Sequence, residues 1–175
     1  LAMHRVRRHP ERRLAFLFVD IDHFKAVNDT YGKEIGDLVL VELGQRLASG
    51  VRTMDTVGHV GHLNRDEFGV LLEELQSAEQ VERIVERLSE AIRVPIETSL
   101  GQFVVTASIG VVYGPPPETT PEELVRNGET AMMRAKREPG QAHQFFEPSQ
   151  QQEITHRHQI EIELRSQLAD APFGL

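Results

Sequence analysis

Two aspartates follow the most apolar segment of the chain and are the first candidates for chemistry. Residues 14–19 are apolar and rich in strand-forming types, and Asp20 and Asp22 come directly after them. A short run of this kind predicts a buried, central strand. Carboxylates at its exit face the loop crevice, where oxygen ligands suit a hard divalent cation. Asp20 is therefore a candidate metal ligand, whereas for Asp22 we favour capping of the helix that follows.

A second pair of acids, Asp66 and Glu67, lies beside the turn of a predicted hairpin. If the hairpin pairs with the first strand, Asp66 comes close to Asp20, and the two carboxylates can share one Mg²⁺ ion that keeps positions open for phosphate oxygens. Two solvated acids in an exposed turn are the alternative, and the residues alone do not decide between them. A calcium loop is excluded, because Lys25 stands where that loop needs a glycine and Tyr31 where it needs a glutamate.

The elements that must position these acids are predicted from periodicity and from helix-start signals. Capping boxes beginning at Ser77 and at Thr120 mark the starts of two helices. Apolar residues at helical spacing predict the length of these two helices and the presence of two further helices earlier in the chain. Runs of β-branched and aromatic residues predict the strands. In chain order we predict a strand at 14–19, helices at 24–31 and from about 35 to 50, a hairpin of 56–60 with 68–72, a helix after 77, a long strand at 102–113, a helix at 121–137 and a strand at 142–146.

The hairpin in the middle of the chain breaks the strand–helix alternation of a doubly wound parallel sheet. This order predicts an α+β fold, a ferredoxin-like sandwich of the nucleotidyl cyclase and polymerase palm type, with a mixed sheet, a central hairpin and surrounding helices. It also excludes a receiver-type acidic pocket, which needs regular alternation. We expect residues 1–13 to be a linker, 14–147 to be one domain, and the polar, helix-prone residues 148–175 to lie outside it.

Composition narrows the classes of protein to which the chain can belong. Its 175 residues are 39% hydrophobic and 26% charged, enough for one globular core. The formal charge of −8 argues against a nucleic-acid polymer as partner, because phosphates would need a basic surface. No apolar run approaches the roughly 20 residues of a membrane span. The lack of cysteine excludes disulfides and permits a cytoplasmic setting. Because the chain begins without Met, we expect it to be a cytoplasmic piece of a longer protein, in which a membrane anchor outside this piece is allowed.

The residues around the acids resemble the GGDEF domain family of diguanylate cyclases, which join two GTP molecules into cyclic di-GMP. The resemblance covers about residues 14–146, and its first block is long enough to be specific. The matching blocks are Val19-Asp-Ile-Asp-His-Phe-Lys-Ala-Val-Asn-Asp-Thr-Tyr-Gly32, Gly36-Asp37, Arg65-Asp-Glu-Phe68, Ser108-Ile-Gly-Val111 and Ala135-Lys136.

The resemblance implies a metal site and two catalytic groups. Asp20 and Asp66, assisted by the carbonyl of Ile21, would bind Mg²⁺ or Mn²⁺. Glu67 would lie near the attacking ribose hydroxyl as general base or orienting group. Lys25 would neutralise the phosphates, although a solvated helix lysine explains it equally well from the residues alone.

The resemblance also implies residues that bind GTP. Asn28 and Asp37 would read the guanine edge through amide and carboxylate hydrogen bonds. The backbone N–H groups of His23 and Phe24, at a helix start, would meet the terminal phosphates. Lys136 would add a second positive charge there.

Departures from the family pattern concern the catalytic turn. Asn64 and Arg65 replace two glycines, the hairpin is lengthened, and Gln141-Ala142 stand where an arginine is expected. Glycine lets a backbone approach a ligand closely, whereas Arg65 brings a long side chain to the place of the α-phosphate. We therefore predict a degenerate domain that binds GTP with weak or lost cyclase activity. A working diguanylate cyclase and a dimerisation scaffold that binds no nucleotide are the alternatives.

Two further segments resemble regulatory features of the family. Arg52-Thr-Met-Asp55 is similar to the RxxD inhibitory site for cyclic di-GMP, although a helix-end arginine and a strand-start aspartate explain the same residues. Residues 156–165 resemble the entry helix of an EAL phosphodiesterase domain. We therefore expect a GGDEF–EAL hybrid in which this domain regulates its neighbour, with a homodimer as a further expected partner.

Overall fold

The computed structural model describes residues 13–60, 66–138 and 140–147. The strands of this part of the chain are β1 Arg13–Ile21, β2 Thr56–His59, β3 Glu67–Leu75, β4 Ile96–Thr98, β5 Gly101–Phe103, β6 Ala107–Tyr113 and β7 His143–Phe145. The helices are α1 Phe24–Tyr31, α2 Lys33–Ser49, α3 Ala78–Arg93 and α4 Pro121–Arg137. Five strands form a mixed sheet in the order β2-β3-β1-β6-β7, and β4 and β5 form a separate antiparallel pair. This is the predicted α+β sandwich with its central hairpin.

Strand β1 is the middle strand of the five-stranded sheet, and both of its faces are covered. It pairs antiparallel with β3 on one side and β6 on the other, and every residue after Arg13 is buried. Side chains alternate between faces along a strand. Leu17 and Val19 accordingly pack in one apolar cluster with residues of α2 and α3, whereas Phe16 and Phe18 pack with residues of α4. The end of β1 is thus held rigidly from two sides.

The prediction of one long strand at 102–113 was wrong, because the structure has two strands there. Residues 102–113 do not form a single long strand: residues 101–103 belong to β5 and pair with β4, whereas β6 begins at Ala107, opposite Ile21 of β1. The strand β4 itself was not predicted. The run of Val, Thr and Phe carries no break signal, so only the two different pairing partners reveal the interruption.

The two predicted capping boxes differ in completeness. At Thr120 both halves form, with the Thr120 hydroxyl accepting from the N–H of Glu123 and the Glu123 carboxylate accepting from the N–H of Thr120. At Ser77 the hydroxyl accepts from the N–H of Gln80 at 3.3 Å, but the side chain of Gln80 accepts from the N–H of Gln76 instead. Either arrangement satisfies first-turn donors, so both helices begin where predicted.

Helix α4 packs on the sheet at unusually short range. A Cβ on Gly110 of β6 would lie 1.9 Å from the carbonyl oxygen of Gly128 and 2.4 Å from the backbone N of Met132. A Cβ on Gly128 would in turn lie 3.1 Å from the ring of Phe16. The absence of side chains at both glycines therefore brings the helix backbone directly onto the sheet.

Several predictions concern residues outside the described ranges. They concern residues 1–12 of the linker predicted at 1–13, the turn residues Asn64 and Arg65, and the C-terminal segment 148–175. Arg13, predicted as the last linker residue, is the first residue of β1. Among the described residues, no helix is both long enough and apolar enough to cross a membrane.

Candidate functional site

The two predicted metal-binding acids come together where β1 ends and β3 begins. Antiparallel pairing places Asp20 opposite Glu67, and the N–H of Ile21 donates to the carbonyl oxygen of Asp66 at 3.2 Å. Asp20 is only 8% exposed. The condition set by the sequence, that the hairpin lie beside the first strand, is met.

Lys136 reaches this point from α4, the helix on the opposite side of the sheet from α2 and α3. Its Nζ donates to Oδ1 of Asp20 at 2.5 Å. Burial raises the pKa of Asp20, the hydrogen bond and charge of Lys136 lower it, and the negative charges of Asp66 and Asp22 raise it further, with a net increase. Burial of the carboxylate is therefore the main cause of the higher pKa, and Lys136 offsets it only in part.

The donor atoms at this point suit a divalent cation of the Mg²⁺ type. They are oxygens only: the carboxylates of Asp20 and Asp66 and the carbonyl of Ile21. Within the described ranges no three His, Asp or Glu side chains form a ready-made cluster. Mg²⁺ commonly uses one or two protein carboxylates and fills its other positions with water and phosphate oxygens. A cation bound to Asp20 would favour its ionised form and so oppose the burial that raises its pKa.

The prediction that Asp22 caps the following helix was wrong. The N-cap position of α1 belongs to His23, which has φ 57° and ψ 26°, and no side chain caps the helix there. Asp22 instead accepts from the hydroxyl of Thr106 at 2.6 Å and from that of Ser108 at 2.8 Å. Its N–H donates to the carbonyl oxygen of Thr106 at 2.9 Å. Asp22 therefore ties the end of β1 to the start of β6.

The left-handed backbone of His23 shapes the start of α1. A residue in this region followed by helical residues can form a concave nest of backbone N–H groups, which binds anions. The positive end of the helix dipole adds to this preference. No side chain caps the start of α1, and binding of phosphate by the N–H groups of His23 and Phe24 stays a prediction.

The two predicted guanine-binding residues lie on neighbouring helices. Asn28 is half-buried on α1, and Asp37 is exposed on the first turns of α2. The carboxamide of Asn28 lies against Gly36, so closely that a Cβ at position 36 would be 1.8 Å from Oδ1 of Asn28. The structure thus brings the Asn28 side chain to the residue directly before Asp37.

Arg52 and Asp55 form a compact turn with β3. The Asp55 side chain is 1% exposed and accepts from the N–H of Arg52 at 2.9 Å and from that of Glu73 at 3.0 Å. The guanidinium of Arg52 donates to Asp55 and, at 2.6 Å, to the carbonyl oxygen of Glu73. These two residues therefore stabilise the turn before β2, as the structural alternative expected, and 43% of the Arg52 side chain is still exposed.

The family follows from the match over most of the chain. Residues 1–142 match the family model described as "Diguanylate cyclase, GGDEF domain". This chain belongs to the GGDEF family. The expected resemblance is confirmed, and with it a place in cyclic di-GMP signalling.

Curated relatives of this GGDEF domain are much longer proteins. The bifunctional diguanylate cyclase/cyclic di-GMP phosphodiesterase MucR of Pseudomonas aeruginosa is 37% identical over 158 residues, which are 90% of this chain and 22% of MucR. The diguanylate cyclase TpbB of P. aeruginosa strain UCBPP-PA14 is 38% identical over 127 residues, which are 72% of this chain and 28% of TpbB. This GGDEF domain therefore spans less than a third of either relative.

Solved structures agree with the fold. The GGDEF domain of TpbB from P. aeruginosa superimposes with a TM-score of 0.80 at 32% identity, covering 88% of each chain. An EAL/GGDEF domain protein from M. capsulatus gives a TM-score of 0.70 at 32% identity, covering 78% of this chain and 86% of that one. The mixed sheet with its helices is thus a fold shared across the family.

Sequence reasoning missed part of the support for this GGDEF domain's site. Nothing in the sequence marked Thr106, and Ser108 entered only as part of a matching block, yet both hydroxyls hold Asp22. The signal for Ser108 was a polar residue inside an otherwise apolar strand, where it is 5% exposed and must find a partner. Lys25 was predicted, and the structure places it exposed on α1, without a contact to Asp20 like that of Lys136.

Proposed function

We propose that this GGDEF domain binds GTP together with Mg²⁺ or Mn²⁺ between the end of β1 and the start of β3. The observation that carries the proposal is the convergence of Asp20, Asp66 and Lys136 at one point. Two carboxylates and an ammonium at the end of the central strand match the needs of a cation and a triphosphate together.

Each residue has a defined task in this proposal. Asp20, Asp66 and the carbonyl of Ile21 hold the cation, which when bound neutralises the phosphates and orients them. The N–H groups of His23 and Phe24 donate hydrogen bonds to phosphate oxygens, and Lys25 and Lys136 supply positive charge. Asn28 and Asp37 form hydrogen bonds with guanine. Glu67 stands next to Asp66, where it orients or deprotonates the ribose hydroxyl if chemistry occurs.

We further propose that the domain regulates an adjacent EAL domain and that its own cyclase activity is weak or lost. Cyclase chemistry requires two GTP-loaded domains to face each other, and a misplacement of about 1 Å can cost roughly a hundredfold in rate. Arg65 in place of a glycine, and Gln141-Ala142 in place of an arginine, disturb that geometry. Support for the EAL partner comes from residues 156–165 and from the bifunctional relative MucR.

An active diguanylate cyclase is the second candidate. It is favoured by the retention of Asp20, Asp66 and Lys136 in contact-forming positions, since these groups serve catalysis as well as binding. Both candidates bind GTP, and the rate at which cyclic di-GMP is formed distinguishes them.

Calorimetry tests the binding proposal. In the presence of Mg²⁺, GTP should bind and ATP should bind much more weakly, because mismatched donors and acceptors at the base would be left unpaired. Asn28→Ala and Asp37→Ala should each weaken GTP binding while thermal unfolding stays unchanged. Equal affinity for ATP and GTP, or none for either, would contradict the proposal and favour a scaffold.

Product formation separates the two candidates. The wild-type domain at high protein concentration, where dimers form, should make little cyclic di-GMP above the level of Asp66→Ala. Turnover well above that blank establishes the cyclase. If the wild type is silent, replacing Asn64 and Arg65 by glycine and shortening the hairpin should restore measurable turnover, provided that this turn is the main defect.

Cyclic di-GMP binding at Arg52 is a separate test. Arg52→Ala should abolish binding of the dinucleotide if the RxxD site operates, because the exposed guanidinium supplies the donors for phosphate and guanine. Asp55→Ala is a poor probe, since it removes the acceptor of two backbone N–H groups. Unchanged binding to Arg52→Ala would place the dinucleotide elsewhere.

A further inference from the structure

We infer that Lys136 and the divalent cation compete for Asp20, so that tight cation binding requires a nucleotide to take Lys136 away. The inference rests on the proposed function, because it assigns the cation and the triphosphate to the same site. In this inference Lys136 does more than contact phosphate: it makes the binding of the cation depend on the binding of the nucleotide.

The contact itself is the first step of the argument. Nζ of Lys136 lies 2.5 Å from Oδ1 of Asp20, within direct hydrogen-bonding distance. The Asp20 side chain is 12% exposed and its backbone is fixed in the central strand, so the carboxylate has little freedom to turn away. A cation that binds this carboxylate therefore meets the ammonium at its ligand atom.

Charge is the second step. Asp66 and Asp22 are the other charged groups that act on Asp20, and both are negative. Asp22 is engaged by the hydroxyls of Thr106 and Ser108, which leaves it no need of the lysine. Lys136 thus supplies the positive charge for Asp20 in the ligand-free domain. A divalent cation placed beside that ammonium would be repelled by it, and displacing the ammonium costs the existing ion pair.

Mobility is the third step. The Lys136 side chain is 32% exposed and has a flexible four-carbon stem, whereas Asp20 is held in place. When a triphosphate binds, its oxygens offer the ammonium a new partner, and Asp20 becomes available to the cation. The ligands exchange partners without a change in the fold.

Linkage turns this exchange into a measurable coupling. If the nucleotide raises the affinity for the cation, the cation raises the affinity for the nucleotide by the same factor. Couplings of this kind are typically about 5-fold to 150-fold. Removing the ammonium should raise the affinity for the cation alone and reduce the coupling.

The experiment measures Mn²⁺ binding by paramagnetic resonance of the free ion, with and without a GTP analogue that cannot react at its α-phosphorus. Lys136→Met keeps the length of the side chain and removes its charge. Without nucleotide, this variant should bind Mn²⁺ on the order of tenfold more tightly than the wild type. Lys136→Arg keeps a cation in place and should not gain affinity.

Arg137→Met is the matched control, because it removes the same unit of charge from the next residue of α4, an exposed one. It should leave Mn²⁺ affinity at the wild-type level. A gain in Arg137→Met equal to that in Lys136→Met would overturn the inference in favour of a general charge effect.

Equal or weaker Mn²⁺ binding by Lys136→Met, with the analogue still bound by the wild type, overturns the inference and leaves the proposed function standing. Failure of the wild type to bind the analogue and Mn²⁺ under any condition overturns both. If Lys136→Met does not fold, nitrogen-15 signals of the lysine ammonium groups in the wild type decide. The Lys136 signal should shift when Mg²⁺ and the analogue are added together and stay unchanged with Mg²⁺ alone, and a shift with Mg²⁺ alone contradicts the competition.

Discussion

The carboxamide oxygen of Asn28 fills the space that a side chain at Gly36 would need. A Cβ built on Gly36 would be 1.8 Å from Oδ1 and 2.9 Å from Cγ of Asn28. Gly36 lies inside α2, where its backbone is helical and needs no glycine for conformational reasons. The glycine is therefore required by the Asn28 side chain, and any larger residue must displace it.

Gly36→Ala should separate nucleotide binding from stability. Alanine is favoured over glycine inside a helix by about 1 kcal/mol, so the melting temperature should stay the same or rise. The Asn28 side chain must rotate away, so GTP affinity in calorimetry should fall about tenfold or more, as in Asn28→Ala. Combining the two changes should cause no further loss, because they remove the same contact.

Gly44→Ala serves as the control on the same helix. Its Cβ would meet the Phe68 ring at 3.5 Å, an ordinary contact, so this variant should gain the same helix propensity without losing GTP affinity. Equal GTP binding by Gly36→Ala and the wild type would show that the Asn28 carboxamide does not read guanine from its present position.

The contact between Asp22 and Ser108 should be important for stability. Asp22→Ala leaves the buried Ser108 hydroxyl without its acceptor, so we expect a loss of about 1–3 kcal/mol in the free energy of unfolding, measured with urea. Ser108→Ala leaves Asp22 its bond from Thr106 and should cost less. In a double-mutant cycle, the two changes together should cost clearly less than the sum of their separate effects. Additive losses would mean that the two side chains do not interact.

Asp20→Asn should stabilise the domain in the absence of divalent cations. Burial raises the pKa of Asp20, with Asp66 and Asp22 adding to the increase and Lys136 opposing it. A group whose pKa is higher in the folded state favours folding while it is protonated, and that contribution is lost as the pH rises through the folded-state pKa. The neutral amide avoids this loss.

The measurement is urea unfolding in EDTA across a series of pH values. The advantage of Asp20→Asn should be largest near neutral pH and should shrink as the pH falls towards 3.8, the ordinary value, where Asp20 is protonated in the wild type as well. An advantage that does not change with pH would contradict this explanation.

Arg46 should stabilise the end of α3 from a distance. Its guanidinium, on α2, donates to four backbone carbonyl oxygens where α3 ends, those of Ala91, Ile92, Val94 and Pro95. Arg46→Lys keeps the charge but lacks the planar set of donors, so it should lose most of what Arg46→Met loses, roughly 1–3 kcal/mol in the free energy of unfolding. Full stability of the lysine variant would show that charge near the helix dipole suffices.

The sequence was informative wherever local chemistry determines structure. The complete capping box at Thr120, the periodicity of α2 and the apolar run of β1 each depend on neighbouring residues, and each element formed where predicted. The proximity of the two acids was also predictable, because Asp20 lies near the end of the central strand and Asp66 directly precedes the strand paired with it.

The features that the sequence did not predict depend on contacts between residues far apart in the chain. The break before Ala107 follows from pairing with two different strands, and the position of Asp22 follows from hydroxyls more than eighty residues away. A helix cap at Asp22 was the reasonable local expectation, and the long-range bonds from Thr106 and Ser108 replaced it.

The glycine pair Gly110 and Gly128 sets the distance between α4 and the sheet that carries Asp20. Two turns of α4 separate Gly128 from Lys136, so the height of the helix above the sheet at one end fixes the reach of the ammonium at the other. The distance between α4 and the sheet is thus one that the side chain of Lys136 can span to reach Asp20. A methyl group at position 110 would lift α4 from the sheet and move the Lys136 ammonium away from Asp20 without altering either residue.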